Sequence, residues 1–263
     1  MIKIGLIGVG NLGQFLLEKI NKEHILAGYT ISAICDERVK AIHTMPALAK
    51  AYHVKAYDQL DDFLNADIDL VVECANVTAV QQYALQILAK KNLLAISVGA
   101  FVSSSFYEKV LATTQKQRTK LYLPAGAIGG LEVIQAAKVL GGLKAITITT
   151  RKPIHAFADI DTTKETIIFQ GLAVEAIERF PQNANVAITL SLAGLGVQQT
   201  KVKIIADPTV SQNIHTIQAS GAFGKMDITL ENNPLPMNPK TSYLTALSII
   251  ATLKSLHEQV VIG

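Results

Sequence analysis

The chain has 263 residues, 49% of them hydrophobic and 17% charged, with a formal net charge of +3 and no Lys/Arg block. That is enough length for one large domain or two modest ones and enough apolar content for a sizeable core, while the weak, dispersed charge argues against nucleic acid as a partner. No apolar run approaches the roughly 18–20 residues of a membrane span, no basic-then-apolar leader with a small-residue cleavage site opens the chain, and two cysteines, Cys35 and Cys74, make no disulfide framework, so a cytoplasmic protein is expected.

"KIGLIGVG" reads as a buried strand, and Asn11 to Ile20 follows with Leu12, Phe15, Leu16 and Ile20 at helical spacing. Between them lies Gly8-Val9-Gly10-Asn11-Leu12-Gly13, a G-x-G-x-x-G turn in the strand-to-helix setting that the motif requires. Gly8 permits the tight turn, Gly10 lets the backbone approach a pyrophosphate, and Gly13 lets helix and strand pack closely. The helix start then offers free N–H groups and partial positive charge to the phosphate. A plain sharp turn would look similar in isolation, but the second strand, "YTISAICDE", ends at Asp36, where a carboxylate can accept both adenosine ribose hydroxyls. The same carboxylate repels a 2′-phosphate, which favours NAD, while nearby Arg38 leaves NADP possible.

Next come a helical stretch around Met45 to Tyr52, the segment "VKAYDQLDDFL", strand "DLVVECA", helix Val77 to Leu88, strand "NLLAISVGA", helix Ser103 to Lys116 and strand "KLYLPAG". Such alternation implies right-handed crossovers and an open parallel sheet. Its continuous apolar strands also explain a mean hydropathy of +0.31. Ligands of such sheets lie outside the carboxyl ends of the strands. Cys74-Ala75-Asn76 and Ser97-Val98-Gly99-Ala100 close the two middle strands, and small residues there leave room for a nicotinamide ribose.

After Gly141-Gly142 the strands come closer together: "AITITTRKP", "ETIIFQG", "TKVKIIADP" and "NIHTIQASGAFGKMDITLEN". Helices are expected at Ala173 to Arg179, Asn185 to Leu195 and Thr241 to His257, with a short closing strand "QVVIG". The fold class is therefore α/β: an N-terminal Rossmann-type doubly wound parallel sheet plus a second α+β domain with a mostly antiparallel sheet. The expected boundaries are 1–123 for the NAD(P)-binding domain, completed by the C-terminal helix within 240–263, and 124–239 for a catalytic and dimerisation domain.

A second glycine turn, "PAGAIGGLEVIQ", follows a strand, but no acidic ribose partner stands at the expected distance behind it. It reads either as a hinge between domains or as a set of backbone N–H groups for a nicotinamide carboxamide and a small carboxylate. Together with "TRKP", "FPQNANVA", "DPTVSQNIHTI", "GAFG" and "ENNPLPMNPKTSYLTALS", this turn closely resembles the L-aspartate dehydrogenase family, and the resemblance covers essentially the whole chain. Membership implies NAD(P)-dependent oxidative deamination of L-aspartate to iminoaspartate, which hydrolyses to oxaloacetate and ammonia or feeds NAD biosynthesis. It also implies that His215 in "QNIHTI" is the catalytic residue and that Ala127 and Asn185 touch the cofactor. One departure is Ala125, where a serine is often found.

The chemistry needs such a group. Oxidation of an amino acid sends hydride to the nicotinamide and leaves protons to be moved, work suited to an imidazole. Strand alternation sets His215 opposite Ile214, on the face expected to turn toward a substrate crevice. His24, His43, His53 and His257 read as surface residues, and His155, just after "TRKP", could face the crevice but ranks behind His215. For a dicarboxylate, Lys240 with Thr241 and Ser242 suggests an anion site at a helix start, ahead of Arg151 and Lys152.

No metal motif and no G-x-S-x-G elbow appears, and Asp61-Asp62 and Asp159–Asp161 read as loop or cap acids. Two alternatives remain at this point: a reductase of the dihydrodipicolinate reductase type, and a non-catalytic NAD(H)-binding redox sensor. The first wants a His- and Lys-rich helix that Asn185 to Leu195 does not supply. A homodimer through the exposed face of the second sheet is also expected.

Overall fold

A computed structural model describes residues 1–36, 39–157, 160, 162–180, 185–236 and 238–260; the side chains of 39–42, 239 and 240 lie outside this description. Arg38, Asp159, Asp161 and residues 261–263 of the expected closing strand therefore lie outside the described residues. The chain divides into two units, Met1–Pro124 with Ile249–Gln259, and Ala125–Ser248.

The first unit runs β1 (Ile2–Ile7), α1 (Asn11–Leu17), β2 (Tyr29–Cys35), α2 (Val39–Tyr52), β3 (Lys55–Tyr57), α3 (Leu60–Leu64), β4 (Leu70–Glu73), α4 (Val77–Leu88), β5 (Asn92–Ala95), α5 (Ser104–Gln117) and β6 (Leu121–Tyr122). The sheet order is β3-β2-β1-β4-β5-β6, every pairing parallel. This is the doubly wound dinucleotide order, whose order reversal falls between β1 and β4. The inner strands are apolar on both faces because helices cover a parallel sheet twice over, and Leu6, Ile34, Val71, Val72, Leu93 and Leu94 are fully buried.

Local differences from expectation have physical causes. Beyond Leu17 the first helix continues as a π-helical turn through Lys22, where Glu18 and Lys22 form an i,i+4 ion pair. The segment after β5 leaves the sheet, and Val98–Val102 form a 3-10 turn with Val98, Ala100 and Phe101 buried.

The second unit contains α6 (Leu131–Lys138), β7 (Leu143–Lys152), β8 (Thr166–Leu172), α7 (Ala173–Arg179), α8 (Asn185–Ala193), β9 (Lys201–Ala206), β10 (Asn213–Gly221), β11 (Gly224–Asn232), β12 (Pro234–Leu235), β13 (Asn238–Ser242) and the start of α9 (Tyr243–Ser255). Its five-stranded sheet has the order β11-β10-β7-β9-β8, antiparallel except for β7 with β9. One face is covered: Ile146 and Ile148, Val202 and Ile204, and Ile217 and Ala219 pack with Ile134, Ala137, Ala173, Ala176, Ala187 and Leu190 of the three helices. The opposite face carries Thr147, Thr149, Thr216 and Thr229, which suits a face without that apolar cover.

Three expectations about the chain's end are corrected. The last helix begins at Tyr243, because Asn238–Ser242 pair as a strand with Pro234–Leu235 and the Tyr243 N–H donates to the Asn233 carbonyl. It also ends at Ser255, and Gln259 and Val260 carry no strand. Within the first unit the Tyr29 hydroxyl donates to the Leu253 carbonyl, and the Tyr29 and His257 rings meet edge to face.

Candidate functional site

The glycine turn of the first unit fits a dinucleotide on stereochemical grounds. Gly8 has φ +92 and donates its N–H to the Cys35 carbonyl at 2.9 Å, and a Cβ there would stand 2.7 Å from the Ala75 nitrogen. A Cβ on Gly13 would collide with the Gly8 carbonyl oxygen, so only glycine lets α1 pack this closely on the turn. Gly10 precedes α1 with no side-chain cap and no acidic residue in the first turn, which leaves the helix start open to a phosphate. Gln14 braces the loop by donating Nε2–H to the Val9 carbonyl at 2.9 Å. Asn11 is exposed, Leu12 half-buried.

Asp36 follows β2 directly and is 5% exposed. One carboxylate oxygen accepts the Val9 N–H at 2.9 Å, so Asp36 grips the glycine turn. Cys74 and Ala75 lie just past β4, both half-buried. Burial, and next the Glu73 carboxylate, push the Cys74 thiol well up, which keeps it neutral.

Glu73 was not legible as a site residue. It ends β4 with 2% exposure, and its carboxylate accepts the Ala75 N–H (2.7 Å), the Ile96 N–H (3.2 Å), the Ser97 N–H (3.1 Å) and the Ser97 hydroxyl (2.8 Å). Burial raises its pKa, and the four donors pull the other way. The available signal was a carboxylate ending an otherwise apolar strand.

In the second unit, His215 pairs with Thr150 across β10 and β7, and its Nδ1 stands 3.0 Å from the Thr150 hydroxyl oxygen. It shares its face with Ile217 and Ile148, the helix-covered side, and is 4% exposed. Expectation had it on a face open to a crevice; here the alternation carries it onto the packed face, at the end of the core. Burial chiefly, and the Lys152 ammonium secondarily, lower its pKa from 6.5 to about 4, so the imidazole is neutral at pH 7. Lys152 follows Thr150 by two residues on the same face of β7, and burial lowers its own pKa.

Arg151 points to the opposite face and is committed to Asp207 and to Glu165, the latter at 2.6 Å. In the second glycine turn the Ala127 carbonyl accepts from Asn232 Nδ2 at 2.9 Å, while the Gly126 N–H donates to the Ser248 hydroxyl at 3.1 Å. Gly130 has φ +72, and a Cβ there would strike Ile228. Asn185 opens α8 and is exposed.

Lys240, Thr241 and Ser242 lie on β13, which runs directly into the start of α9 at Tyr243, and the Lys240 side chain is outside the described residues. Thr241 accepts from Asn238 Nδ2 at 2.8 Å, whereas the Ser242 hydroxyl is buried with no hydrogen-bond partner. His24, His43, His53, His155 and His257 are exposed. Among the described residues no three His, Cys, Asp or Glu side chains gather as a metal site would need, and no helix is long and apolar enough to cross a membrane.

Comparison with known proteins agrees with this layout. Residues 132–256 match the family described as "Aspartate dehydrogenase, C-terminal", and residues 8–124 match "Homoserine dehydrogenase, NAD binding domain". The chain is 40% identical to an L-aspartate dehydrogenase of Methanosarcina mazei over 100% of both chains. It is 38% identical to one of Ralstonia pickettii, covering 96% of this chain and 97% of that one. The crystal structure of the Thermotoga maritima aspartate dehydrogenase superposes with a TM-score of 0.82 at 32% identity, covering 100% of each chain.

Proposed function

The chain belongs to the L-aspartate dehydrogenase family, and we propose that it catalyses the oxidative deamination of L-aspartate to iminoaspartate with His215 moving the protons. The first unit is an NAD(P)-binding domain, with Gly8, Gly10, Asn11, Leu12, Gly13, Asp36, Cys74 and Ala75 as the residues offered to the cofactor, joined in this reading by Ala127 and Asn185. The nicotinamide, when bound, accepts the hydride from the amino acid's Cα.

The observation that carries the reading is the His215–Thr150 pair. The Thr150 hydroxyl engages Nδ1, which leaves Nε2 as the nitrogen free to exchange protons with substrate. A neutral imidazole can take a proton as the amine becomes an imine, and can return one to ammonia as the imine is hydrolysed. Burial sets the resting basicity low. A dicarboxylate bound beside Lys152 offsets that ammonium's charge and raises the imidazole's proton affinity, so substrate itself prepares the base.

For the substrate's carboxylates, the reading assigns Lys240, Thr241 and Ser242. Its support is the Ser242 hydroxyl, a buried donor without a partner, for which a carboxylate oxygen is a fitting acceptor. The product feeds NAD biosynthesis or hydrolyses to oxaloacetate and ammonia. The reading also includes a cytoplasmic homodimer, the dimer supported by the threonine-rich open face of the second sheet.

Reduced-cofactor formation with L-aspartate, set against L-glutamate and L-alanine, tests the assignment. Turnover confined to L-aspartate supports it. Tight NAD binding with no turnover on any of the three would leave a sensor of redox state.

A further inference from the structure

Glu73 sits where the two halves of a dinucleotide site meet. Its register partners are Ile7 on β1 and Ala95 on β5, so it ends the strand that follows the order reversal. In this strand order the glycine turn and the end of β2 serve the adenosine and pyrophosphate, while the loops after β4 and β5 border the nicotinamide half. Glu73 bonds to both of those loops. One carboxylate oxygen takes the Ala75 N–H and the Ser97 hydroxyl, and the other takes the Ile96 and Ser97 N–H groups.

We propose that Glu73 is a positioning residue for the nicotinamide half of the cofactor: by clasping Ala75 to Ser97 it holds both loops at one spacing beneath that half. Four donors converge on the site, and only a carboxylate offers acceptors on both oxygens. The Ala75 backbone held in this way is also the wall that forbids a side chain on Gly8, so the clasp and the glycine turn share a boundary. The proposal rests on the dinucleotide fold of the first unit and not on the identity of the amino-acid substrate.

The test compares NAD with ADP, which lacks the nicotinamide half, by calorimetric titration of the purified full chain. Glu73→Gln keeps the volume but sets an NH2 group against N–H donors. It is expected to weaken NAD binding by about tenfold or more, the effect of losing one or two such bonds, while ADP affinity stays within about twofold. Ser97→Ala removes one donor without stranding a buried one, and is expected to act in the same direction more weakly. Parallel loss of NAD and ADP affinity would make Glu73 a general fold residue and overturn the proposal, as would unchanged NAD affinity. Should Glu73→Gln fail to fold, Ser97→Ala decides by the same two outcomes.

Discussion

The imidazole of His215 and the hydroxyl of Thr150 face each other across adjacent strands, Nδ1 to Oγ1 at 3.0 Å, both residues buried. The pair joins positions 65 residues apart through strand register alone. Thr150→Val keeps the branched shape and removes the bond, leaving Nδ1 without its partner in a buried setting. We expect a stability loss of about 1–3 kcal/mol and a fall in kcat, with Thr150→Ser close to wild type. Denaturant unfolding and steady-state rates of the two variants check this; a Val variant as active as the Ser variant would show that tautomer and orientation are set elsewhere.

The low pKa of His215 makes stability depend on pH in a definite direction. Its folded-state value, about 4, lies below the ordinary 6.5, so the unfolded chain binds the proton more readily. The contribution is full above pH 6.5 and is lost as pH falls toward 4. The difference corresponds to roughly 3 kcal/mol. Glu73, whose pKa is raised, works in the opposite sense. Unfolding free energies of wild type minus His215→Gln at pH 7 and at the acid end isolate the histidine; a constant difference would contradict the burial argument.

Lys152→Met removes the secondary cause and leaves the primary one. The imidazole pKa should rise from about 4 yet remain below 6.5, because burial is the larger cause. Histidine C–H chemical shifts followed through a pH titration read this directly. The same variant is expected to raise KM for a dicarboxylate more than it lowers kcat.

Asp36→Ala strips the turn of its acceptor for the Val9 N–H and removes the negative charge that the proposed reading sets against the ribose. NAD affinity should weaken, and kcat/KM with NADP should rise relative to NAD by about tenfold or more, the worth of ~1.4 kcal/mol. An unchanged NADP-to-NAD ratio would mean that the carboxylate serves the turn only.

Gly8→Ala meets both a positive φ and the Ala75 backbone. Loss of dinucleotide binding with the second unit still folded is the expected outcome, read by cofactor titration and circular dichroism. Gly10, whose φ is −70, should tolerate alanine in the free protein better than Gly8 does.

These contrasts mark what a sequence displays and what it hides. Gly8, Gly10, Gly13 and Asp36 are legible because a turn between a strand and a helix is a local pattern, and α4 and α7 begin and end where side-chain periodicity puts them. Glu73 is not, since nothing in "LVVECA" tells that Ser97, 24 residues on, will turn two donors toward it. The short strand that leads into the last helix is hidden for the same reason. Ser242 and Asn238 pair with Pro234 and Leu235, so the segment carrying Lys240 and Thr241 runs as a strand up to the helix start at Tyr243. The face of His215 followed from alternation; which face the helices cover is a property of the assembled second unit.

The most direct test of the account is L-aspartate-dependent cofactor reduction by His215→Ala beside wild type, with NAD affinity measured on the same samples. A loss of about 10²- to 10⁴-fold in kcat with cofactor affinity near wild type is the predicted result. A variant that keeps its rate, or one that loses cofactor affinity instead, would contradict the role given to this imidazole.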